Sequence, residues 1–364
     1  MSDFEGMKAS LAEVCGLVNG YIEKCSYFYD YGLEEVTEGL LAYLMRPGKK
    51  LRPAVLVWSY LASGGSEKDL ASVLPVACGL ELTHTWTLIH DDIIDRDESR
   101  RGGESMHVIG RRLAKENFGA SAGAAEEYGL AYSILIGDAL HAVSVAMMLD
   151  AVKAGAPSEV VGEICRLLQG VTMRELLEGE LRDVNFEYMP TEAIDCDTIL
   201  KMIEGKTSSL LSYSAMFGAM LGKKTADTGH PAVKSIGDYA RACGTAFQLK
   251  DDILGLVADE AELGKPVGSD LRDGKKSYPI YLALSRFGEK ERAEFLQIYG
   301  NGKASPQQQK RAVDMILETG AVRDTESLAV RLVTEAGGLL KDMPDSRYKS
   351  YLLAWGAYLV DRSR

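Results

Sequence analysis

The sequence lacks the features that mark several common classes of protein. Its 53 acidic residues outnumber its 41 basic residues, which leaves a net charge of −12. This balance excludes a nucleic-acid binder that relies on bulk positive charge. Hydrophobic residues make up 46% and charged residues 26% of the 364 residues, so the chain has enough apolar material for a large core and is not a disordered protein.

Cysteine is scarce and scattered. The six cysteines are Cys15, Cys25, Cys78, Cys165, Cys196 and Cys243, and no two of them form a CxxC pair. This spacing fits neither a disulfide framework nor a zinc site, so we expect reduced and mostly buried thiols.

Uninterrupted apolar runs are also missing. The most hydrophobic stretch, residues 132–152, is broken by Asp138, His141 and Asp150, whereas a membrane span needs about 20 mainly apolar residues. We therefore predict a buried helix there and no membrane span. The first residues show no basic segment followed by an apolar one, so no signal peptide is predicted and we expect a cytoplasmic location.

Instead of strand-like alternation, apolar residues recur at intervals of three and four. Val160, Ile164, Leu167 and Val171 form one such stripe. Breaks rich in Pro and Gly separate these segments, which predicts an all-α protein. No linker composition is visible, so we expect residues 1–364 to form a single domain. The Ala/Gly-rich segment 103–128 is compatible with a mobile loop or a frayed helix.

Two acidic clusters end apolar helical segments. In HDDIID, Asp91 and Asp95 are one helical turn apart on one face, with Asp92 to the side. The second cluster is the pair Asp251 and Asp252, near the end of the segment 236–257. Carboxylates without His or Cys suit Mg²⁺, which takes phosphate oxygens as further ligands. A lone DDxxD motif is more often a solvated helix end, but two such clusters predict facing walls of one cavity.

Basic motifs accompany both clusters. Any one of them alone is more often a solvated surface feature. Together they meet the needs of two diphosphate groups, because aspartate-bound Mg²⁺ would neutralise one while Lys and Arg bind the other directly.

The motifs and their order resemble the trans-isoprenyl diphosphate synthases, which are polyprenyl synthetases of the farnesyl and geranylgeranyl diphosphate synthase type. The matching motifs are GKKLRP at 48–53, ELTHTWTLIHDDIID at 81–95, RRG at 100–102, GDAL at 137–140, GKT at 205–207, FQLKDD at 247–252, GKPVGSDL at 264–271 and GKKSYP at 274–279. The sequence departs from the family at Gly255, where many members have a third aspartate. It also departs at Glu180, where Gln is commoner, and at Lys50, where Arg is commoner.

The resemblance implies a large helical bundle around a central cavity and a head-to-tail prenyl transfer. In that reaction an allylic diphosphate (dimethylallyl, geranyl or farnesyl) ionises and isopentenyl diphosphate attacks the carbocation. The implied cofactor is Mg²⁺, three ions per active site, with Mn²⁺ as an alternative. The family is usually homodimeric, and no nucleic-acid partner is implied.

The resemblance also implies a role for each matching residue. The implied metal ligands are Asp91, Asp92, Asp95, Asp251 and Asp252. The residues implied to bind isopentenyl diphosphate are Lys49, Arg52, His84 and Arg101. Those implied to bind the allylic diphosphate are Arg100, Lys206 and Lys265, and Lys275 is a further substrate-binding residue. The implied catalytic residues are Lys206 and Thr207, through a carbonyl dipole near them, and Gln248, through its amide; these groups would stabilise the cation.

Product length is expected to be set below the first cluster. Trp86 lies five residues before Asp91, about 7.5 Å along the helix axis. In the family a bulky residue here limits the product, and the neighbouring Thr87 is not bulky. The resemblance therefore favours a C20 product, with a C15 farnesyl product as the alternative.

Other functions are compatible with parts of the sequence. A terpene cyclase or head-to-head synthase can share the aspartate-rich helix, but would not need the GKKLRP and GKPVGSDL motifs. A non-catalytic regulatory subunit often loses one acidic cluster, whereas both clusters here retain their leading pair. Incorporation of labelled isopentenyl diphosphate by the purified chain separates these possibilities.

Overall fold

The computed structural model describes residues 3–257, 269–272 and 274–361, and it confirms the all-α prediction. In chain order the helices are α1 (Asp3–Glu23), α2 (Glu34–Leu44), α3 (Leu51–Ala62), α4 (Leu70–Ile94), α5 (Met106–Phe118), α6 (Ala122–Lys153), α7 (Ser158–Leu167), α8 (Met173–Tyr188), α9 (Cys196–Ile203), α10 (Ser209–Lys223), α11 (Pro231–Val257), α12 (Ser269–Arg272), α13 (Tyr278–Leu284), α14 (Glu289–Ile298), α15 (Pro306–Glu318), α16 (Ala321–Gly337) and α17 (Arg347–Val360).

Shorter elements lie between these helices. The segments Leu168–Thr172 and Glu204–Ser208 are π-helical turns. The 3₁₀ turns are Ser26–Phe28, Glu67–Asp69, Thr191–Ala193 and Gly338–Leu340. Strands β1 (Ser99–Arg100) and β2 (Gly103–Glu104) pair antiparallel as a small hairpin after α4.

The contacts within the chain divide it into two compact units. The first comprises Met1–Leu167, Ser214–Val233 and Pro344–Tyr351, and the second comprises Leu168–Tyr213, Lys234–Met343 and Leu352–Arg364. Each unit is assembled from separated stretches of sequence, which explains why no linker composition is visible. That residues 1–364 form one domain stays a prediction.

The first unit is built on the antiparallel pair α4 and α6. Gly79, early in α4, lies against Met148 near the end of α6, and His90, late in α4, lies against Gly137. Trp58 of α3 is fully buried, and its indole Nε1 donates a hydrogen bond of 3.0 Å to Ser10 Oγ. This packing buries much of α4. The helix therefore supports the first acidic cluster, which lies at its C-terminal end.

Helix α6 is the one described helix that is long and apolar enough to cross a membrane by length and composition alone. In the first unit it packs against α4 and α5. The prediction of a helix over 132–152 is right, but its burial is one-sided, since 44% of its most hydrophobic window is buried. Exposed apolar side chains line its other face, namely Leu130, Ile134, Leu135 and Leu149.

The segment 103–128 was open to two interpretations, and neither is right. It forms β2, α5 and the first turns of α6. Helix α5 ends at Gly119, which has a left-handed φ of 62°, and Ser121 caps α6 through a hydrogen bond from Ala124 N. These two caps place a helix break inside the Ala/Gly-rich run.

The second unit has its own aromatic core. Tyr239 of α11 and Trp355 of α17 are fully buried with their ring centroids 6.3 Å apart, and Tyr239 Oη donates a hydrogen bond of 2.6 Å to the Leu352 carbonyl. This contact anchors α11, the helix that carries the second acidic cluster.

All six cysteines lie in the described part of the chain and are free thiols, as predicted. Only Cys78 and Cys243 are buried, so the expectation that most of them are buried is wrong.

Candidate active site

The first acidic cluster stands where α4 ends. The helix continues through Ile94, and Asp95 N donates to the Asp91 carbonyl at 2.8 Å, which confirms that these two residues are one helical turn apart. The Asp91 side chain is 20% exposed and Asp95 is exposed, whereas Asp92 is fully buried. Two carboxylates of the cluster are therefore accessible and the third faces the protein.

The buried Asp92 carboxylate binds two neighbours. Its Oδ2 accepts a hydrogen bond of 2.5 Å from Tyr43 Oη, and its Oδ1 accepts one of 2.6 Å from Arg100 Nε. Burial raises the pKa of Asp92, and these two hydrogen bonds oppose that rise. The pKa of Tyr43 is raised by burial and by its bond to this carboxylate. Whether Asp92 also binds metal is untested by these contacts and stays a prediction.

Arg100 also forms ion pairs with two other acids of this region. Its Nη2 lies 3.4 Å from Asp91 Oδ2 and 3.1 Å from Asp97 Oδ2. Burial lowers the pKa of Arg100, but the bond to Asp92 and the neighbouring carboxylates more than reverse this effect. The guanidinium thus stays charged beside the cluster, where an incoming phosphate oxygen would find a donor.

The RRG motif forms the tip of the hairpin. Arg100 pairs with Gly103, and the two-residue loop between them has φ of 50° at Arg101 and 77° at Gly102. Positive φ at both loop positions is the requirement of a type I′ turn, which glycine meets without cost and arginine only with strain. The turn presents Arg100 and Arg101 from one rigid element.

A second group of cations surrounds one buried carboxylate, that of Glu81 on α4. Lys50 Nζ lies 3.4 Å and Arg101 Nη1 3.7 Å from Glu81 Oε1. Lys50 is buried and has a φ of 41° at the start of α3, so the chain holds a strained residue where this ion pair forms.

Arg52 and His84 complete this cationic group. Burial lowers the pKa of Arg52 to about 10, with Glu81 opposing the shift, and Arg52 Nε is buried with no hydrogen-bond acceptor among the described residues. Burial, and then the charges of Arg52 and Arg101, hold the pKa of His84 well below its usual value. Because one carboxylate faces several cations, the group suits a polyanionic ligand.

Other predicted residues of the first unit lie around this group. Lys49 is exposed, and its carbonyl accepts a bond from Cys15 Sγ. Trp86 is partly buried, with its ring 4.7 Å from that of His141 on α6 and 5.3 Å from that of His90. Thr87 Oγ1 donates a bond of 2.7 Å to the His84 carbonyl. Trp86 is therefore fixed against α6 one to two turns below Asp91.

The second unit brings together three of the predicted site residues, Thr207, Gln248 and Asp252. Thr207 Oγ1 donates to Gln248 Oε1 at 3.0 Å, and Gln248 Nε2 donates to Asp252 Oδ1 at 2.9 Å. Tyr278 N donates to the other oxygen, Asp252 Oδ2, at 3.3 Å. The chain of bonds fixes the direction of the Gln248 amide, so its orientation is set by its partners.

Lys206 stands on the π-helical turn and contacts two acids of α8. Its Nζ lies 2.7 Å from Asp183 Oδ2 and 3.1 Å from Glu180 Oε1. Gly179 allows this close approach of α8, because a Cβ there would lie 2.2 Å from the Lys206 backbone nitrogen. π-Helical turns are common at functional sites, where they redirect side chains.

The remaining predicted residues are placed as follows. Asp251 is partly exposed near the end of α11, and Lys275 is exposed between α12 and α13. Lys265 lies outside the described residues, and so does most of the GKPVGSDL motif. That the two acidic clusters face one cavity concerns residues of both units and stays a prediction.

The sequence reasoning missed several residues that the structure places at these groups. Glu81 is the buried counterion of the cationic group, and Tyr43 binds Asp92. Asp183 and Glu180 hold Lys206. A charged residue inside the otherwise apolar run of α4 was a usable signal for Glu81. Tyr43 had no such signal, since it is 49 positions away from its partner.

Comparison with known proteins agrees with this geometry. The family model described as Polyprenyl synthetase matches residues 34–316. The chain is 33% identical over 317 residues to a geranylfarnesyl diphosphate synthase of Aeropyrum pernix, covering 86% of this chain and 90% of that protein. It is also 33% identical over 320 residues to a geranylgeranyl diphosphate synthase of Methanosarcina mazei, covering 86% of each.

A solved structure shares the fold. The geranylgeranyl pyrophosphate synthetase from Pyrococcus horikoshii superposes with a TM-score of 0.85 at 29% sequence identity, covering 99% of both chains.

Proposed function

The chain belongs to the polyprenyl synthetase family, and from this premise we propose that it condenses isopentenyl diphosphate head-to-tail with allylic diphosphates to make a C20, geranylgeranyl, diphosphate. It is an enzyme of the prenyltransferase class. Dimethylallyl, geranyl and farnesyl diphosphates are the proposed allylic substrates.

The cationic group around Glu81 is the observation that carries the proposal. Lys50, Arg52 and Arg101 outnumber this single carboxylate, and in the part of the chain that the structure describes the buried Arg52 Nε has no acceptor. An unpaired buried donor costs free energy unless a ligand supplies the acceptor. A diphosphate supplies several anionic oxygens, so we assign isopentenyl diphosphate to this group, with Lys49 and His84 beside it.

The first acidic cluster fits a magnesium ion. Asp91 and Asp95 offer oxygen ligands only and are accessible, and no three His, Cys, Asp or Glu side chains in the described part of the chain form a metal-binding group by themselves. Mg²⁺ is commonly held by one or two carboxylates, with phosphate oxygens and water as the other ligands. Asp91 and Asp95 would thus hold an ion in the first unit, and Asp251 is a proposed metal ligand in the second unit. The number of ions and the use of Mn²⁺ belong to this proposal.

When bound, Mg²⁺ supplies positive charge that stabilises the departing pyrophosphate. The protein's own residues supply the rest. Arg100, Lys206 and Lys265 bind the allylic diphosphate, and Lys275 is a further substrate contact. The Gln248 amide, held by a hydrogen bond from Thr207 Oγ1, and a carbonyl dipole near Lys206 and Thr207 are the groups proposed to stabilise the carbocation.

Product length follows from the position of Trp86. Its ring packs on His90 of the same helix and on His141 of α6, so it lies where these two helices meet. The small neighbour Thr87 is not expected to block the tail. We propose that Trp86 sets the limit at C20.

We further propose that the protein is a soluble, cytoplasmic homodimer. The exposed apolar face of α6 runs from Leu130 to Leu149, which is about five turns, and would be covered by a second copy. Leu135, which is 68% exposed, lies in this face. Leu135→Asp should shift the molecular mass measured by light scattering from dimer to monomer, while an unchanged mass places the dimer contact elsewhere.

The test of the function is a product assay on the purified chain. Labelled isopentenyl diphosphate is supplied with Mg²⁺ and a C5, C10 or C15 allylic primer, and the dephosphorylated alcohols are separated by chromatography. We expect C20 alcohol from each primer, and no product in EDTA. Absence of any incorporation would indicate a regulatory subunit, and a C15 end product would indicate a farnesyl diphosphate synthase.

A further inference from the structure

Tyr43 of α2 touches the substrate-binding hairpin from its buried side, although it stands outside every motif of the sequence. We propose that Tyr43 is a positioning residue, which through Asp92 and Arg46 presents Arg100 to the allylic diphosphate. This inference rests on the proposed function, since it assigns a second layer of residues to the same site.

The Tyr43 hydroxyl joins two elements. It donates to Asp92 Oδ2 of α4 at 2.5 Å and accepts from the backbone nitrogen of Met106, the first residue of α5, at 2.8 Å. The side chain is fully buried, so water does not compete for either bond. The hydroxyl therefore ties the helix before the hairpin to the helix after it.

Arg100 is reached from Tyr43 by two routes. Through the carboxylate, Asp92 Oδ1 accepts the hydrogen bond from Arg100 Nε at 2.6 Å. Through the ring, the guanidinium of Arg46 lies 4.8 Å from the Tyr43 centroid and donates to the Arg100 carbonyl at 2.9 Å. One route holds the side chain of Arg100 and the other holds its backbone.

These contacts also assign a role to Asp92. Both of its oxygens are engaged and none of its surface is exposed, whereas Asp91 and Asp95 remain accessible. An acid in this position orients a guanidinium more readily than it reaches a cation in solution. The inference thus makes Asp92 a positioning residue for Arg100 and leaves the cation to the other two acids.

The neighbouring Arg101 depends on Tyr43 in a different way. Its Nη1 lies 3.5 Å from the Tyr43 backbone carbonyl, a contact that any residue at position 43 retains. Removing only the hydroxyl should therefore loosen Arg100 and spare Arg101. Because these arginines are assigned to different substrates, the two Michaelis constants should respond differently.

The test is Tyr43→Phe, studied by steady-state kinetics with geranyl diphosphate and isopentenyl diphosphate as the varied substrates. We expect the KM for geranyl diphosphate to rise about tenfold, which corresponds to about 1.4 kcal/mol. The KM for isopentenyl diphosphate and kcat should stay within about twofold. Thermal-shift stabilisation by geranyl diphosphate in EDTA should fall as well, a readout that needs neither metal nor turnover.

Tyr239→Phe is the matched control. It also removes a fully buried tyrosine hydroxyl with one short hydrogen bond, but its partner is the Leu352 carbonyl in the second unit. It should lower the melting temperature without a selective change in either KM. If Tyr43→Phe changes both constants equally, or neither, Tyr43 is only structural and the inference is wrong.

A second variant, Asp92→Asn, separates positioning from metal binding. It should repeat the selective rise in the geranyl diphosphate KM and leave the Mg²⁺ concentration for half-maximal activity unchanged. A large rise in that concentration would make Asp92 a metal ligand and overturn the inference. A wild-type protein that incorporates no isopentenyl diphosphate would instead contradict the proposed function, independently of these variants.

Discussion

The two acidic pairs share a dipeptide and a position near the end of an apolar helix, yet their surroundings differ. In each pair the first acid is partly accessible, as at Asp91 and Asp251, and the second is buried, as at Asp92 and Asp252. The common pattern is compatible with helical geometry, because adjacent residues project about 100° apart, so one of them can face the protein while the other points outward.

The buried acids are stabilised by different partners. Asp92 binds the guanidinium of Arg100 and the Tyr43 hydroxyl. Asp252 binds the Gln248 amide and the Tyr278 backbone nitrogen, which are both neutral. The first pair therefore orients a charged guanidinium, and the second orients an amide. The same dipeptide has thus been used to position two different kinds of group.

The largest expected effects are losses of turnover, and they come from replacing the accessible acids. Asp91→Ala should lower turnover by roughly a thousandfold, because it removes a ligand of the cation that stabilises the leaving group, while helical circular dichroism stays unchanged. Asp251→Ala should lower it by roughly a hundredfold. Single-turnover assays with labelled isopentenyl diphosphate measure both.

The control for these variants is Asp238→Ala, also on α11, whose carboxylate pairs with Lys234 on the exposed surface. It should keep wild-type turnover. Near-normal turnover in Asp91→Ala would remove that residue from the proposed metal site.

Replacing the two buried acids, Asp92 and Asp252, should destabilise the protein by different amounts. Asp92→Ala leaves the partly buried Arg100 without its closest counterion, although Asp91 and Asp97 remain near it, so we expect a loss of about 2–3 kcal/mol in the free energy of unfolding. Asp252→Ala removes the acceptor of the neutral Gln248 amide and of the neutral Tyr278 backbone nitrogen and should cost about 1–2 kcal/mol. Urea denaturation followed by circular dichroism gives both values, and equal losses would show that the charge of Arg100 is irrelevant.

Product length should depend on α4 alone. Five residues before Asp91 stands Trp86, whereas five residues before Asp251 stands the small Ala246. Trp86→Ala should lengthen the product by at least one C5 unit, because the tail gains the space of the indole. Trp86→Phe is the matched control and should keep the wild-type length. Unchanged products in Trp86→Ala would exclude this residue from length control.

The smallest expected effect is on how the free energy of unfolding depends on pH. Burial and the charges of Arg52, Arg101, Arg100 and Lys50 lower the pKa of His84 below its ordinary value of 6.5. As pH falls below about 6.5, the unfolded chain binds a proton that the native protein excludes, so stability decreases until the native pKa is reached. The stabilising effect of the neutral imidazole is therefore present above pH 6.5 and lost at lower pH.

His84→Gln should flatten this dependence by up to about 1.4 kcal/mol per pH unit below pH 6.5. The position seven residues before Asp251 is Gly244, so the second cluster has no equivalent titration. Urea denaturation at several pH values makes the measurement, and identical slopes for wild type and variant would contradict the assignment.

The local sequence pattern was sufficient to predict much of the fold and part of the site geometry. Periodicity predicted the helices, and the spacing of Asp91 and Asp95 predicted their shared face, because both depend on residues within one or two turns. The type I′ turn at Arg101 was not predictable, since arginine has no preference for positive φ. The helix break at Gly119 was ambiguous because the surrounding Ala/Gly run favours neither a loop nor a helix strongly.

The sequence by itself therefore determined the fold class, the family and the choice of acids and cations that we propose as substrate and metal contacts. Only the tertiary structure decided which acid of each pair is accessible, that Glu81 is the counterion of the cationic group, and that Tyr43 supports Arg100. The physical reason is distance along the chain. Motifs record interactions between near neighbours, whereas burial and long-range hydrogen bonds exist only after distant helices have packed.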